Sequence, residues 1–413
     1  MAADSRPLAA APDDGGPAEP ALMAGPPPFA GHAQVTLANW SDPPFNRWAF
    51  QHIRELIPTA SIGRAARTRP LPRAERDLLG LRFTSGGREL SVADLLAQTY
   101  TDGFAVLHRG EVVTELYRNG LAPGAPHLLM SVSKSVTGMV AGVLAGRGQL
   151  DPAALVTDVV PELRGTSFDG ATVRDLLDMR AGTRFNEDYD SPDSDVRTCD
   201  RVYLWRPGDG EPQPPDALAY FPTLVNDGEH GGPFRYRSIL TDVLGWVLER
   251  AGGARLHELI ASELWQPMGA EFDAAITVDG HGNALADGGI CAALRDVARF
   301  GQLVLDRGQA GGQQIVPAGW IEDTIRGAAD GPQAFAAADP AAVPSAAHYR
   351  NYWWVDDPAI PLLHAVGING QHIFVHGAAQ VVVVKLSTWP SATSARLRRV
   401  TADAALAIAA ALS

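Results

Sequence analysis

Strand-like patterns lie near both ends of this chain, and a long stretch of helix-like and loop-like sequence separates them. Residues 103–120, GFAVLHRGEVVTELYRNG, alternate apolar and polar side chains around an Arg109–Gly110 turn, which is typical of an antiparallel hairpin. Toward the C-terminus, NYWWVD, HIFVH and QVVVVKLSTW read as strands and precede an alanine-rich helix. The pattern predicts one sheet assembled from both ends of the chain.

This separation predicts an α/β (α+β) enzyme in which helices flank an antiparallel sheet and a mostly helical lobe stands beside it. Residues 39–125 and 290–413 form the predicted α/β lobe, and residues 126–289 form the helical lobe. A chain of 413 residues exceeds the usual size of one core, and ligand sites are favoured where two lobes meet. Residues 1–38 are rich in Ala, Pro, Gly and Asp and are predicted to be a disordered tail, with order and a short amphipathic helix from Trp40 onward.

Composition excludes several classes of protein. The net charge of -13, without a Lys/Arg-rich run, argues against a nucleic-acid partner. No uninterrupted apolar stretch of about 18 residues occurs, so no membrane-spanning helix is expected. The first residues lack the pattern of an export signal, so a cytoplasmic location is expected. Cys199 and Cys291 are expected to be unpaired thiols, and neither a metal nor a cofactor is implied.

The strongest chemical motif is an S-x-x-K sequence formed by Ser131 and Lys134. It begins a strongly periodic helix that should end near Gly146 to Gly148, so the two side chains lie one turn apart on one face. A serine needs an adjacent base to act as a nucleophile, and a lysine whose pKa is lowered can serve. At a helix N-terminus, the N–H of Ser131 could also stabilise an oxyanion. The same four residues would also be found if Ser131 only capped the helix and had no catalytic role.

Two further patterns follow in the sequence. In FRYRS, Tyr236 could relay a proton beside a lysine, and Ser238 could hydrogen-bond Lys134. Taken alone, Tyr236 also fits an ordinary half-buried tyrosine. The glycine-bracketed turn Gly367–Gln371, in GINGQHIFVH, leads into an apolar strand and would let the backbone approach a substrate closely.

In this order, the three elements resemble the serine β-lactamase and D,D-peptidase superfamily, on its class C-like and esterase side. The segments WSDPPFNRWAF, QTYTDGF, LLMSVSKS, PELRG, NEDYDSP, TDVLGWVLER, ITVDG, YWWV and VVVVKLSTWP are similar to the 6-aminohexanoate-dimer hydrolases, the nylon-oligomer hydrolases. This resemblance implies a β-lactamase/transpeptidase-like fold with Ser131 as nucleophile. It implies Lys134 and Tyr236 as base and proton relay, and the N–H groups of Ser131 and Ile368 as the oxyanion hole.

The resemblance also implies how a substrate is held. Tyr189 would contact the substrate amide, Asp200 would hold an ammonium group, and Trp354 would line the pocket. Other substrate-facing positions implied by the matching motifs are Ser238, Asp287 and Asn369. Members with strong oligomer activity are expected to carry Asn or His where this chain has Asp287, so turnover of oligomers is expected to be altered or lost.

The loop at residues 186–200 carries many acidic side chains against a single cation, Arg197. The acidic residues are Glu187, Asp188, Asp190, Asp193, Asp195 and Asp200. Such a loop would favour a cationic substrate end, although turn-forming aspartates on a solvated loop explain each residue taken singly. Asp200 is the candidate for the contact with an ammonium group.

The sequence thus predicts a serine hydrolase that cleaves linear short amides, such as 6-aminohexanoate oligomers, through an acyl-enzyme on Ser131. The alternative is a carboxylesterase of the same fold that acts on short acyl esters. A β-lactamase or D,D-peptidase is disfavoured because Asn369-Gly370-Gln371 replaces the usual Lys-Thr-Gly and Ser238 stands in place of Asn. A non-catalytic binding protein is disfavoured by the complete set of catalytic residues. The expected partner is a small-molecule amide or ester, and a homodimer is an expectation from the resemblance.

Overall fold

The computed structural model describes residues 21–210, 212–337 and 346–413. In these ranges the strands are β1 (Thr59–Ile62), β2 (Arg82–Ser85), β3 (Arg88–Ser91), β4 (Thr101–His108), β5 (Glu111–Tyr117), β6 (His127–Leu128), β7 (Ala274–Thr277), β8 (Ile290–Ala292), β9 (Gln309–Ala310), β10 (Gln313–Gln314), β11 (His348–Arg350), β12 (Trp353–Asp357), β13 (Leu362–Gly367), β14 (Gln371–His376) and β15 (Val381–Ser387). The α-helices are α1 (Asn46–Ala49), α2 (Val92–Gln98), α3 (Val132–Gly146), α4 (Val156–Val159), α5 (Val173–Leu177), α6 (Asp195–Val202), α7 (Ala217–Tyr220), α8 (Ile239–Gly252), α9 (Leu256–Ile260), α10 (Leu294–Leu305), α11 (Ala318–Arg326), α12 (Gly331–Ala336) and α13 (Ala395–Leu412).

A seven-stranded antiparallel sheet in the order β11-β12-β13-β14-β15-β4-β5 joins strands from the two ends of the chain. The N-terminal hairpin meets the C-terminal strands where β15 pairs with β4, with Val384 opposite Ala105. The hairpin turn places Arg109 at φ 52° and Gly110 at φ 81°, the left-handed pair that matches the twist of two strands. The predicted hairpin and the predicted sheet from both ends are confirmed.

The sheet is covered on both faces because alternate side chains of β15 point in opposite directions. Val381 and Val383 join a core cluster with Ile408 of α13. Val382 and Val384 belong to a second cluster that contains Phe300 of α10. A strand that is buried on both faces reads as a continuous apolar run, which is what the sequence shows in QVVVVKL.

The helices α3 and α8 are buried along most of their length. A Cβ added at Gly138 of α3 would lie 2.5 Å from the carbonyl oxygen of Asn351, so the helix passes directly against the β11–β12 connection. Gly253 ends α8 in the left-handed conformation at φ 69°. Both helices were predicted and are confirmed, and α3 ends at Gly146 as expected.

A second, four-stranded sheet in the order β1-β7-β8-β6 was not predicted, and it joins β1 and β8 of the predicted α/β lobe to β6 and β7 of the predicted helical lobe. Its strands have two to four residues and are mostly buried, so they show no alternation that a sequence pattern could reveal. The expected helix after Trp40 is broken into α1 and a 3₁₀ turn at Ile53–Glu55. The predicted division of the chain near residues 125 and 290 stays a prediction.

The predicted disordered tail covers residues 1–38, of which the first 20 lie outside the described residues. Residues 21–38 form turns in which Val35 is only 3% exposed, while Leu22 and Leu37 pack on the core. The boundary at residue 38 is therefore wrong, because these apolar side chains anchor the segment. Within the described ranges, no helix has both the length and the apolar character needed to cross a bilayer.

Candidate active site

Ser131 lies at a sharp turn between β6 and the first residue of α3. The preceding residue, Met130, is buried and has φ 48°, a left-handed conformation that is uncommon for a side chain other than glycine. Hydrogen bonds from Leu128 N–H to Phe50 O (2.8 Å) and from Leu129 N–H to Ile290 O (2.8 Å) hold the turn. Such strain persists only where surrounding contacts fix it, which is common at functional sites.

The side chains of Ser131 and Lys134 are brought together as their spacing predicts. Lys134 Nζ is 2.8 Å from Ser131 Oγ, and the lysine is only 1% exposed. The Ser131 side chain makes no capping hydrogen bond to the helix, so the alternative of a purely capping serine is wrong. Lys134 Nζ also donates to the carbonyl oxygen of Asp287 (3.0 Å) and lies 3.4 Å from Asp287 Oδ2.

Tyr236 completes this cluster from the segment just before α8. Ser131 and Lys134 both lie close enough to lower the pKa of its phenol, and Lys134 Nζ lies 5.2 Å from the centre of its ring. The indole of Trp354, on β12, stacks on the Tyr236 ring with centroids 5.6 Å apart. Trp354 is buried and, like Lys134 and Tyr236, is not among the described residues that line the adjacent cavity, so its expected role as a lining residue stays a prediction. In this structure it supports Tyr236.

Lys134 and Tyr236 both hold their protons firmly at neutral pH. Burial by itself lowers the pKa of Lys134, but the charges around it, Asp287 foremost, outweigh burial and raise that pKa above its usual value. Burial raises the pKa of the Tyr236 phenol, and the Lys134 ammonium only partly offsets this. The resting pair is therefore an ammonium and a neutral phenol, and it must lose one proton before it can accept the proton of Ser131.

Glu187 is a site residue that sequence reasoning counted only as part of an acidic loop. Its carboxylate accepts hydrogen bonds from the backbone N–H (2.7 Å) and hydroxyl (2.5 Å) of Ser238 and from the hydroxyl of Tyr189 (2.6 Å). Burial raises the pKa of Glu187, although the nearby Lys134 ammonium acts in the opposite direction. The expected hydrogen bond between Lys134 and Ser238 is not formed, because Lys134 Nζ donates to Ser131 and Asp287 and the Ser238 hydroxyl donates to Glu187. No local motif marks this contact, which joins residues 51 positions apart.

Asp242 lies beneath Asp287 and is another residue that the sequence did not single out. It is 2% exposed, and its Oδ1 accepts a hydrogen bond from the backbone N–H of Asp287 at 3.0 Å. Burial raises the pKa of Asp242 well above its usual value, and the charge of Asp287 raises it further. Through this hydrogen bond, Asp242 holds the backbone of Asp287 against Lys134.

The close approach of β13 to the turn that carries Ser131 positions the second candidate oxyanion donor. A Cβ added at Gly367 would lie 2.6 Å from Leu129 O and 3.1 Å from the Cβ of Met130, so only glycine allows this approach. Ile368 follows Gly367, and both Ile368 and Ser131 line the same cavity. Their backbone N–H groups are the donors that the resemblance implies for an oxyanion.

The cavity beside Ser131 has a volume of about 370 Å³. Tyr189, Asp200, Ser238, Asp287 and Asn369, all predicted substrate-facing residues, line it. Asn369 nevertheless directs its amide NH₂ to the carbonyl oxygen of Trp389 (2.9 Å), so that group supports a loop. In the described ranges, no group of three or more His, Cys, Asp or Glu side chains could hold a metal ion.

Asp200 is already paired with two cations on the cavity wall. Its Oδ2 lies 2.8 Å from Arg197 Nη1 and 3.2 Å from Arg206 Nε. The sequence treated Arg197 as the lone cation of an acidic loop and did not single out Arg206. Asp200 is therefore not the unpaired carboxylate that an ammonium group would need, although it lines the cavity as expected.

Comparisons with known proteins agree with this geometry. Residues 91–407 match the family model described as Beta-lactamase. A 6-aminohexanoate-dimer hydrolase of Paenarthrobacter ureafaciens is 40% identical over 368 residues, which cover 88% of this chain and 90% of that protein. The structure of a candidate 6-aminohexanoate-dimer hydrolase from Bacillus anthracis is 25% identical with a TM-score of 0.83, covering 92% of this chain and 97% of that one. A family VIII carboxylesterase at 18% identity shares the fold, with a TM-score of 0.57 over 76% of this chain and 96% of that one. The predicted fold class is confirmed.

Proposed function

This chain belongs to the beta-lactamase family and, within it, to the 6-aminohexanoate-dimer hydrolases, and on that premise we propose that it cleaves linear short amides, such as 6-aminohexanoate oligomers. The observation that carries the proposal is the 2.8 Å contact between Lys134 Nζ and Ser131 Oγ, with the centre of the Tyr236 ring 5.2 Å from Nζ. A nucleophile that touches its activating groups beside a cavity is the arrangement required for acyl transfer.

In the proposed reaction, Ser131 Oγ attacks the carbonyl carbon of the amide and its proton passes to the Lys134–Tyr236 pair. The pair accepts this proton only after it has lost one of the two it holds at rest. The negative oxygen that forms accepts hydrogen bonds from the N–H groups of Ser131 and Ile368. The C–N bond then breaks, and the leaving nitrogen takes its proton from Tyr236. Water hydrolyses the acyl-enzyme through the same groups in reverse order.

Ester hydrolysis is the second candidate, and the contact between Asp287 and Lys134 favours it. A negative charge 3.4 Å from Nζ favours the ammonium form, so at neutral pH a smaller fraction of Lys134 is the free amine that could accept the proton of Ser131. Cleavage of an amide depends on protonation of a poor leaving group. Cleavage of an ester that has a good leaving group does not need this protonation. The same serine, lysine and tyrosine would serve both reactions.

Parallel assays with 6-aminohexanoate linear dimer, p-nitrophenyl butyrate and nitrocefin distinguish these activities. We expect the wild type to cleave the dimer and Ser131→Ala to lose that activity. The exposed Ser262→Ala, which lies outside the cavity, is the matched control and should act as the wild type does. Ester cleavage alone would support the esterase, and dimer cleavage that persists in Ser131→Ala would rule out the mechanism.

The cytoplasmic location and the homodimer belong to this proposal as expectations from the sequence and the resemblance. Light scattering on the purified full chain would measure its mass in solution. A mass of twice 43.8 kDa is expected for the homodimer, and a single-chain mass would exclude it.

A further inference from the structure

We propose that Arg197, Asp200 and Arg206 form a subsite that binds a carboxylate group of the substrate rather than an ammonium group. We call these three residues the arginine clamp. The inference rests on the proposed function in assigning the cavity to a substrate, and it deepens that function by naming the charge of the group that the cavity holds.

The arginine clamp is held in place by its own contacts. Arg197 and Arg206 meet at the same oxygen, Asp200 Oδ2, at 2.8 and 3.2 Å. Arg197 also donates to the carbonyl oxygen of Tyr189, and its guanidinium lies 5.8 Å from the centre of the Tyr189 ring. A guanidinium fixed in this way loses little side-chain entropy when it binds a carboxylate.

Charge counting within the clamp gives a net positive charge. Two guanidinium groups stay protonated, whereas Asp200 supplies at most one negative charge. Burial raises the pKa of Asp200, and Arg197 and Arg206 only partly offset this. The side chains of Asp200 and Arg197 are each 17% exposed and that of Arg206 is 31% exposed, so water screens the pair of Asp200 and Arg197 less than it screens Arg206. An ammonium group would have to share Asp200 with two cations, and like charges at such distances repel.

The other carboxylates that line the cavity do not reverse this balance at the clamp. Asp287 faces Lys134 at 3.4 Å and is matched by that ammonium. Asp42 and Asp190 lie on the exposed side of the cavity, where water and salt screen their charges. Arginine presents five N–H donors in a planar fork that suits the two oxygens of a carboxylate.

The substrate class that fits is a short linear amide with a free carboxylate at the end that enters the clamp. The oligomers proposed above carry such an end as well as an amino end. The clamp therefore selects the acidic terminus, whereas the resemblance had implied recognition of the amino terminus through Asp200.

Calorimetric binding of hexanoate, hexylamine and hexanol tests the subsite without any turnover. These probes share a six-carbon chain and differ in charge. We expect the wild type to bind hexanoate more tightly than hexylamine. Arg197→Gln should weaken hexanoate binding by about 10- to 100-fold, the usual range for a lost charged hydrogen bond, and should leave hexanol unchanged. Arg201→Gln, on the same helix but outside the cavity, is the matched control and should leave all three affinities unchanged.

Arg197→Lys keeps the charge without the fork and should give an intermediate affinity for hexanoate, which covers the case in which Arg197→Gln does not fold. Tighter binding of hexylamine by the wild type, or unchanged hexanoate binding in a folded Arg197→Gln, would overturn the inference. These affinities are measured without turnover, so they do not depend on whether the protein cleaves the dimer. If the wild type cleaves no amide yet binds hexanoate through Arg197, the proposed function fails and the carboxylate subsite stands.

Discussion

At the scale of single residues, the protonation of Lys134 depends on one neighbour that the motif does not contain. The S-x-x-K spacing places the lysine next to Ser131, but Asp287 joins it from 153 positions along the chain. Because an adjacent negative charge favours the ammonium form, Asp287 reduces the fraction of Lys134 that is a free amine at neutral pH. The same position was marked in the sequence as a departure from active relatives, and the structure supplies a physical reason for that expectation.

Replacement of Asp287 by Asn should shift the pH dependence of catalysis to lower pH. The charges around Lys134 raise its pKa, so loss of the nearest one lowers the pKa, and the pair loses its proton at lower pH. We expect the rising limb of kcat/KM with pH to move down by about one unit or more. Asp287→Glu keeps the charge and should leave the limb near its wild-type position. A limb that does not move in Asp287→Asn would show that Asp287 does not set the protonation of the pair.

At the scale of elements, the site depends on how closely β13 approaches the turn before α3. Two segments far apart in sequence meet there, and Gly367 allows the contact. Ser131 lies at the N-terminus of α3, and Ile368 directly follows the end of β13. Neither element carries the oxyanion site alone, because the two proposed donors come one from each.

Gly367→Ala should therefore damage catalysis more than stability. The new methyl group would meet Leu129 O at 2.6 Å and push the strand end away from the turn. We expect kcat to fall by about 10²- to 10³-fold, the usual cost of losing one oxyanion donor, in assays with p-nitrophenyl butyrate. Gly319→Ala, in α11 where a Cβ meets nothing within 4 Å, is the matched control and should leave kcat unchanged. If Gly367→Ala and the wild type have the same kcat, the close approach of β13 does not position Ile368 as an oxyanion donor.

At the scale of the whole molecule, the large sheet is covered on both faces and encloses ionisable groups that the mechanism does not use. Lys385, in the middle of β15, is fully buried and donates to Thr99 O (3.1 Å) and to the hydroxyl of Ser387. Burial lowers the pKa of Lys385 to about 7, and the charge of Asp102 only partly offsets this. The folded chain thus holds this proton less tightly than the unfolded chain does.

The stability of the protein should consequently rise between pH 7 and pH 9. In this window the unfolded state, whose lysine titrates near its ordinary pKa of 10.5, binds more protons than the folded state. We expect Lys385 to add about 1.4 kcal/mol per pH unit to the free energy of unfolding, measured by urea denaturation. Lys385→Met, which cannot titrate, should lose that slope. Parallel slopes for the two proteins would mean that Lys385 keeps its proton in the folded state throughout the window.

The sequence predicted the parts of the fold whose residues repeat at a regular period. The β4–β5 hairpin, α3, α8 and the strands at the C-terminus were all identified, because alternation and helical spacing are local properties. The four-stranded sheet was missed because its strands are too short to show a period. The packing of residues 21–38 was missed because a few apolar side chains in a Pro- and Gly-rich segment give no local sign of the core they reach.

The sequence by itself determined the pairing of Ser131 with Lys134, the order of the motifs and the family resemblance, because each depends on residue type and on spacing along the chain. Only the tertiary structure decided which charges face each other. It paired Ser238 with Glu187, Lys134 with Asp287, and Asp200 with Arg197 and Arg206. The direct strength of an electrostatic contact depends on distance and burial, not on sequence separation, so local patterns could name these residues without showing their partners.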